Sequence, residues 1–140
     1  MPTVRGLNIE EFIAYRPAVP SVAISFVTAN DRAYDPSLYQ QLIPAYRHYA
    51  KVLVINADDI QFPVDGCQLF NRQAAAQIRQ LPSDYPQSSI VVHCNAGVSR
   101  TGSIVKFLHE HFHYSIQGRQ KFADNPYITS LLERSILIHG

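Results

Sequence analysis

The chain has 140 residues, of which 46% are hydrophobic and 16% charged, and its formal net charge is +1. This composition excludes a disordered chain, and the apolar residues come in short blocks that exclude a membrane span of about eighteen residues. The near-zero net charge gives no indication of a nucleic-acid surface or of a polybasic membrane contact.

Residues 1–140 are predicted to form a single domain that buries about two thirds of its unfolded surface. Residues 1–5 lack the apolar core of a signal peptide. Two cysteines are too few for a disulfide scaffold and indicate a reducing compartment. We therefore expect a cytoplasmic protein with no membrane contact and no bound nucleic acid, and we expect a monomer.

Predicted strands and helices alternate along the chain. In chain order they are a short helix capped by Asn8 and stopped by Pro17, a strand over 21–28, an irregular helix over 36–49 interrupted by Pro44, a strand over 51–55, a helix from Phe70 to Leu81 ended by residues 82–86, a strand at Ile90, a helix from Ser99 to about Tyr114, and a last helix starting at Pro126. This alternation predicts an α/β fold, with a central, mostly parallel sheet covered by helices on both faces.

The most informative segment is residues 90–102, which joins an apolar strand to a helix through a loop that contains Cys94 and, six positions later, Arg100. The spacing alone is weak, because it occurs by chance in about one chain in ten of this length. Its setting is specific. A β-branched run precedes it, Gly97 allows a sharp backbone turn, and the residues after Ser99 have the apolar spacing of a helix.

Such a loop predicts a phosphate site with a nucleophile at its base. A tight turn that enters a helix directs backbone N–H groups at one point, where the helix adds partial positive charge. The same field favours the thiolate form of Cys94. Arg100 offers a planar fork to two phosphate oxygens, and Thr101 can hydrogen-bond the sulfur. The predicted phosphate-binding residues are Asn95, Ala96, Gly97, Val98, Ser99 and Arg100.

Residues 93–101 resemble the signature loop of the cysteine-based protein tyrosine phosphatases, in the small dual-specificity branch. The match includes the His before Cys94, the Gly three residues after it, and hydroxyl residues on both sides of Arg100. Thr101 stands where family members typically carry Ser, which keeps the hydroxyl. The resemblance implies a catalytic Cys94, Arg100 and Thr101, a His93 that orients the loop, and, as a weaker match, an Asn125 that supports it.

The family also uses an aspartic acid on a separate loop, and residues 57–61 resemble that loop. They follow the strand over 51–55, and ligands gather at the carboxyl ends of parallel strands, so this loop and the Cys94 loop are expected at one sheet edge. Asp59 matches the catalytic Asp of the family, which protonates the leaving oxygen and then activates water. The alternative is that Asp59 only caps a turn, and for Asp58 that structural role is favoured.

These patterns predict a phosphomonoester hydrolase that forms a phospho-cysteine intermediate and needs no metal or other cofactor. The variable loop positions carry no Lys or Arg, which favours a phosphorylated protein substrate, on tyrosine and also on serine or threonine. The alternatives are a phosphoinositide or an RNA 5'-phosphate as substrate, and a phosphate-binding module with weak or lost catalysis. A thiol redox protein is less favoured, because the chain has no Cys-x-x-Cys pair.

Two further features compete for a role. Residues 109–113 satisfy the His-Glu-x-x-His pattern of zinc proteases, but they fall in the last turns of the predicted helix and no clear third ligand follows, so a polar helix end is favoured over a metal site. Cys67 lies in the region of the acid loop. It could form a reversible disulfide with Cys94, although an ordinary half-buried thiol is favoured.

Overall fold

The structure is a computed structural model that describes residues 2–139 of the chain. Within those residues it contains five strands and seven helices. The strands are β1 (Thr3–Leu7), β2 (Ser21–Phe26), β3 (Lys51–Ile55), β4 (Ser89–His93) and β5 (Ser115–Gln117). The helices are α1 (Ile9–Ala14), α2 (Ala29–Tyr34), α3 (Pro36–Tyr39), α4 (Leu42–Tyr46), α5 (Arg72–Asp84), α6 (Ser99–Phe112) and α7 (Pro126–His139).

The strands form one parallel sheet in the order β3-β2-β4-β1-β5. Ile24 of β2 pairs with Leu53 of β3 on one side and with Val92 of β4 on the other. The predicted α/β fold with a central parallel sheet and helices on both faces is therefore confirmed. Because every strand runs in the same direction, the carboxyl ends of β1 to β4 meet at one edge, where ligands gather in such sheets.

Each face of the sheet is buried in an apolar cluster of its own. Val22, Ile24 and Phe26 of β2 join one cluster with residues of α5, α6 and α7. Ala23 of β2 and Val91 of β4 point the other way and join residues of α1, α3 and α4. Successive side chains of a strand alternate between faces, so a strand buried on both faces reads as a continuous apolar run.

The predicted first helix is confirmed, including its cap. Asn8 Oδ1 accepts a hydrogen bond from the Glu11 N–H at 2.7 Å, and the Glu11 carboxylate accepts one from the Asn8 N–H at 2.9 Å. These reciprocal bonds satisfy backbone donors that the first turn of a helix leaves free. The irregular helix predicted over 36–49 is two short helices, α3 and α4, with Pro44 inside the second.

Several predicted boundaries were wrong. The helix predicted to end at Leu81 continues through Pro82 to Asp84, and the Tyr85 N–H donates to the carbonyl of buried Leu81 at 2.9 Å, which closes its last turn. The strand predicted over 21–28 ends at Phe26, because Thr28 caps α2 instead. The helix α6 ends at Phe112, two residues before the predicted end.

Strands β1 and β5 and helix α2 were not predicted. β1 carries Arg5 and Gly6 within its five residues, and β5 has three residues that are exposed or half-buried. Neither has the apolar alternation that identifies a strand. β1 forms by pairing with β4, and β5 forms by pairing with β1, and both pairings join residues distant in sequence.

Candidate active site

The predicted loops lie at the carboxyl edge of the sheet, as expected. The Cys94 loop connects β4 to α6, and the loop with Asp59 follows β3. Arg100 Nη1 donates to the carbonyl oxygen of Ala57 at 2.9 Å, which joins the two loops directly. The structure therefore brings the candidate nucleophile, phosphate-binding and acid segments to one region.

Cys94 is buried, and its sulfur accepts two hydrogen bonds. The Gly97 N–H donates to Sγ at 3.2 Å and the Thr101 hydroxyl donates to it at 3.1 Å. Both donors would stabilise negative charge on the sulfur more than a neutral thiol. Thr101 is fully buried, and its hydroxyl makes the hydrogen bond to the sulfur that the sequence predicted.

The loop around Gly97 is fixed by neighbouring backbone. Gly97 has a φ of 70°, and a Cβ there would lie 2.6 Å from the Asn8 nitrogen and 2.7 Å from the Leu7 carbonyl carbon. The Ile9 N–H donates to the Asn95 carbonyl at 3.3 Å, and Arg119 Nη1 donates to the Gly97 carbonyl at 2.6 Å. The junction between β1 and α1 therefore requires glycine at this position.

Most backbone donors of this loop have no protein acceptor. Among the N–H groups of residues 95–101, only that of Gly97 donates to another group in the part of the chain that the structure describes. The next N–H, that of Gly102, begins the hydrogen bonding of α6 by donating to the Val98 carbonyl at 2.8 Å. Free N–H groups at the start of a helix form a site for an anion.

Arg100 is held by a carboxylate that sequence reasoning missed. Its Nη1 and Nη2 donate to the two oxygens of Asp31 at 2.9 and 3.0 Å, and both side chains are buried. Asp31 is also the third residue of α2, and it accepts a hydrogen bond from the Thr28 N–H in the capping box of that helix. No local pattern reveals this pair, because the partners are 69 residues apart in the chain.

These contacts orient the guanidinium group and leave one of its edges free. Burial alone would lower the pKa of Arg100, but the hydrogen bond and charge of Asp31 outweigh burial, with help from Cys94 and Asp59, so the pKa is raised. Asp31 and Ala57 occupy three of the five N–H groups. Nε–H and the second Nη2–H make no hydrogen bond to any described residue. This pair is a bidentate donor for a phosphate.

The Asp58 carboxylate is held by hydrogen bonds to other residues of the fold. Its carboxylate accepts hydrogen bonds from the Thr28 hydroxyl at 2.7 Å, the Gln68 N–H at 2.7 Å and the Asn30 amide at 3.2 Å. The side chain is buried, so it does not cap a turn in solvent as the sequence suggested. Asp58 instead fixes the acid loop to α2 and to the segment that precedes α5.

Asp59 is exposed, and among the described residues its side chain has one hydrogen-bond partner, Asn125. The Asn125 amide donates to Asp59 Oδ1 at 2.8 Å and to the Ile60 carbonyl at 3.0 Å. The Asn125 Oδ1 accepts from the backbone N–H groups of Tyr127 and Ile128, so the same residue caps α7. Asn125, predicted to support the Cys94 loop, thus contacts the acid loop instead, and Ser103 of α6 holds its backbone.

A cleft of about 310 Å³ lies beside Asp59 and reaches the first residue of α6. Its walls include Ser99, Phe62 and Asp124. Phe62 is 68% exposed, so its ring is available to a ligand in the cleft.

His93 is fully buried in a chain of hydrogen bonds behind the loop. Its Nδ1 lies 3.2 Å from the Cys94 carbonyl oxygen and its Nε2 lies 2.6 Å from Ser25 Oγ, which lies 2.7 Å from the Tyr46 hydroxyl. Burial lowers the pKa of His93 to about 4. The neutral ring donates from Nδ1 to the carbonyl and accepts at Nε2 from Ser25. These contacts connect the end of β4 to Ser25 of β2 and Tyr46 of α4, and the orienting role that the resemblance implied for His93 stays a prediction.

Tyr39, like Asp31, is a residue of the site that the sequence did not indicate. Its hydroxyl donates to Asn95 Oδ1 at 3.0 Å. Burial raises the pKa of Tyr39, and the nearby charge of Asp31 raises it further, so the hydroxyl keeps its proton. α3 thereby fixes the first residue after Cys94.

Cys67 is a free, half-buried thiol beside the Asp58 network. The Asn30 amide lies 3.7 Å from its sulfur. This environment agrees with the half-buried thiol that the sequence favoured over a disulfide with Cys94.

The residues of the His-Glu-x-x-His pattern do not form a metal site with one another. His109 Nδ1 contacts the Tyr114 carbonyl at 2.8 Å, and His113 lies beyond the end of α6 with a φ of 62°. Among the described residues, one cluster has donors spaced for a metal ion, and it consists of Glu110, His111 and Glu133. It lies near the end of α6, away from Arg100.

No family model matches the chain, and no curated protein or solved structure matches it significantly. Within residues 2–139, no helix has the length and apolar character needed to cross a membrane.

Proposed function

We propose that this chain is a phosphomonoester hydrolase of the dual-specificity phosphatase type, with Cys94 as its nucleophile. The observation that carries the proposal is the sulfur of Cys94, which accepts hydrogen bonds from Gly97 and Thr101 at the base of a loop with free N–H groups. This arrangement can hold a phosphate group against a nucleophilic sulfur.

In the first step, the Cys94 thiolate attacks phosphorus, the P–S bond forms, and the bond to the leaving oxygen breaks. Asp59 donates its proton to that oxygen, so the alcohol or phenol departs neutral. In the second step, Asp59 takes a proton from water, the water oxygen bonds to phosphorus, and the P–S bond breaks. The Thr101 hydroxyl donates to the departing thiolate, and inorganic phosphate is released.

The free edge of Arg100 supports its role as the phosphate clamp. Asp31 and the Ala57 carbonyl hold the other N–H groups, so Nε–H and Nη2–H are oriented without a rearrangement. Fixing the donors in advance reduces the entropy lost on binding and the reorganisation needed during reaction.

Phosphorylated proteins are the proposed substrates, with phosphotyrosine and phosphoserine or phosphothreonine both accepted. The loop itself offers one cation, Arg100. Arg119 also reaches it, but its guanidinium contacts the Gly97 carbonyl and Glu11. That leaves little charge for the extra phosphates of a phosphoinositide or an RNA 5'-end. The two free thiols support a cytoplasmic location.

The substrate proposal is tested with a peptide panel. We expect measurable release of phosphate from both phosphotyrosine and phosphothreonine peptides. Strict selectivity for tyrosine, or activity confined to phosphoinositides or RNA, would contradict it.

The reaction is tested by turnover of an aryl phosphate in the presence of a chelator. We expect activity that survives chelation, is inhibited by vanadate, is abolished by Cys94→Ser and is retained by the matched control Cys67→Ser. Phosphate binding without turnover in the unaltered chain would instead support a binding module, and loss of activity on chelation would support a metal enzyme.

A further inference from the structure

We propose that Glu110, His111 and Glu133 form a binding site for a divalent transition-metal ion, with Zn²⁺ as the fitting example. The site joins α6 to α7 and is independent of the proposed phosphatase reaction. One imidazole nitrogen and two carboxylate oxygens from these residues lie within 4.8 Å of one another.

Two of the three donors already meet across the helices. His111 Nε2 lies 2.9 Å from Glu133 Oε1 and 2.8 Å from Oε2. A tetrahedral ion with bonds of about 2.0–2.2 Å separates its ligands by about 3.4 Å, so the pair needs to open by only about 0.5 Å. The His111 ring also packs against Phe107, with centroids 5.3 Å apart, which restricts its rotation.

The charge of the cluster favours a cation. Glu110 makes no salt bridge to any described residue, and its carboxylate lies beside that of Glu133. Two carboxylates at this distance repel each other, and a divalent ion between them would remove the repulsion and neutralise both. The pair of carboxylates with a neutral imidazole suits zinc, whereas magnesium and calcium prefer oxygen ligands alone.

The cluster of Glu110, His111 and Glu133 is open to solvent. The side chain of His111 is 28% exposed and that of Glu133 is 42% exposed, so an ion can enter from solvent without unfolding. Three protein ligands leave a fourth position for water or for a donor from outside. An ion held there would tie the end of α6 to the middle of α7 and stabilise their packing.

The test uses the full chain carrying Cys67→Ser and Cys94→Ser, because a free thiolate would compete for zinc. Titration of zinc chloride by calorimetry is expected to give one saturable ion per chain. The midpoint temperature of thermal unfolding is expected to rise by roughly 3–8 °C when zinc is in excess. Calcium chloride, as the comparison ion, is expected to give neither effect.

In the same background, His111→Ala and Glu133→Gln are each expected to weaken zinc binding by at least about tenfold. Glu110→Gln is expected to weaken it as well, whereas His48→Ala, an exposed histidine outside the cluster, is the matched control and leaves it unchanged. Far-UV circular dichroism checks that the variants are folded. No saturable binding, or equal affinity in His111→Ala and His48→Ala, would overturn the proposal, as would full affinity in Glu110→Gln.

Discussion

Asp31 and Arg100 form a bidentate ion pair at 2.9 and 3.0 Å, and both side chains are almost completely buried. The pair connects the first turn of α2 to the first turn of α6. A single carboxylate therefore caps one helix and orients the guanidinium that we propose as the phosphate clamp.

Asp31→Asn should lower the free energy of unfolding by about 3–5 kcal/mol, because it leaves the Arg100 charge buried without its partner. Urea unfolding measures the loss. Lys106→Gln removes a surface pair with Asp124 at 3.5 Å and is the matched control, expected to cost less than about 1 kcal/mol. Similar losses for the two variants would contradict the assigned importance of the buried pair.

Asp59→Asn should remove general acid catalysis. We expect kcat/KM to fall about 10²-fold or more on a phosphotyrosine peptide, and clearly less on an aryl phosphate whose phenol leaves easily without a proton. Asp58→Asn should leave this dependence on the leaving group unchanged. It should lower the free energy of unfolding by about 1–3 kcal/mol, because Thr28 and Gln68 lose a charged acceptor.

Kinetics with both substrates and both variants separate the two residues. Equal losses on the two substrates for Asp59→Asn, or a larger selective loss for Asp58→Asn, would overturn the assignment of the acid.

Asn125→Asp should impair catalysis without unfolding the chain. Asp caps a helix as well as Asn does, but it replaces the amide that donates to Asp59 with a repelling carboxylate. We expect kcat/KM on a phosphotyrosine peptide to fall about tenfold or more, a part of the acid contribution. Asn71→Asp exchanges the corresponding cap of α5 and should keep full activity. A parallel loss in both variants would refute the positioning role of Asn125.

His93 should make stability depend on pH. Its pKa is about 4 in the fold against 6.5 when unfolded, so the unfolded chain binds the extra proton between these values. Stability from the neutral ring is complete above pH 6.5 and is lost as the pH falls towards 4, by about 3 kcal/mol in total.

The measurement is urea unfolding at several pH values between 4 and 7. His93→Asn should reduce the slope of unfolding free energy against pH, and His48→Ala should change it little. An unchanged slope in His93→Asn would show that His93 is not buried as a neutral ring.

The sequence predicted the features that depend on local pattern. β4 reads as an apolar run because both of its faces are buried, Gly97 marks the turn, and α6 has helical spacing. The common edge of the Cys94 and Asp59 loops also followed from the rule for parallel strands. The structural role of Asp58 was favoured because the resemblance assigns the catalytic position to Asp59, although the burial of Asp58 was not expected.

The contacts that orient the site could not be predicted, because they join distant residues. Asp31 reads as an ordinary residue of a polar segment, and Ser25 reads as one position in a strand. Asp31 acquires its role by contact with Arg100, 69 residues away. Ser25 acquires its role by contact with His93, 68 residues away. Asn125 was noticed for its resemblance, but its contact with Asp59 depends on how α7 packs.

The central claim, that Cys94 is the nucleophile, is tested most directly by trapping its phosphorylated form. Asp59→Asn is mixed with an activated aryl phosphate, quenched in acid and digested, and the modified residue is located by mass spectrometry. The aryl group leaves without the acid, whereas hydrolysis needs the base, so the intermediate should accumulate. We predict phosphate on Cys94, and none when Cys94→Ser is added. Turnover with phosphate on another residue, or with no covalent intermediate, would contradict the claim.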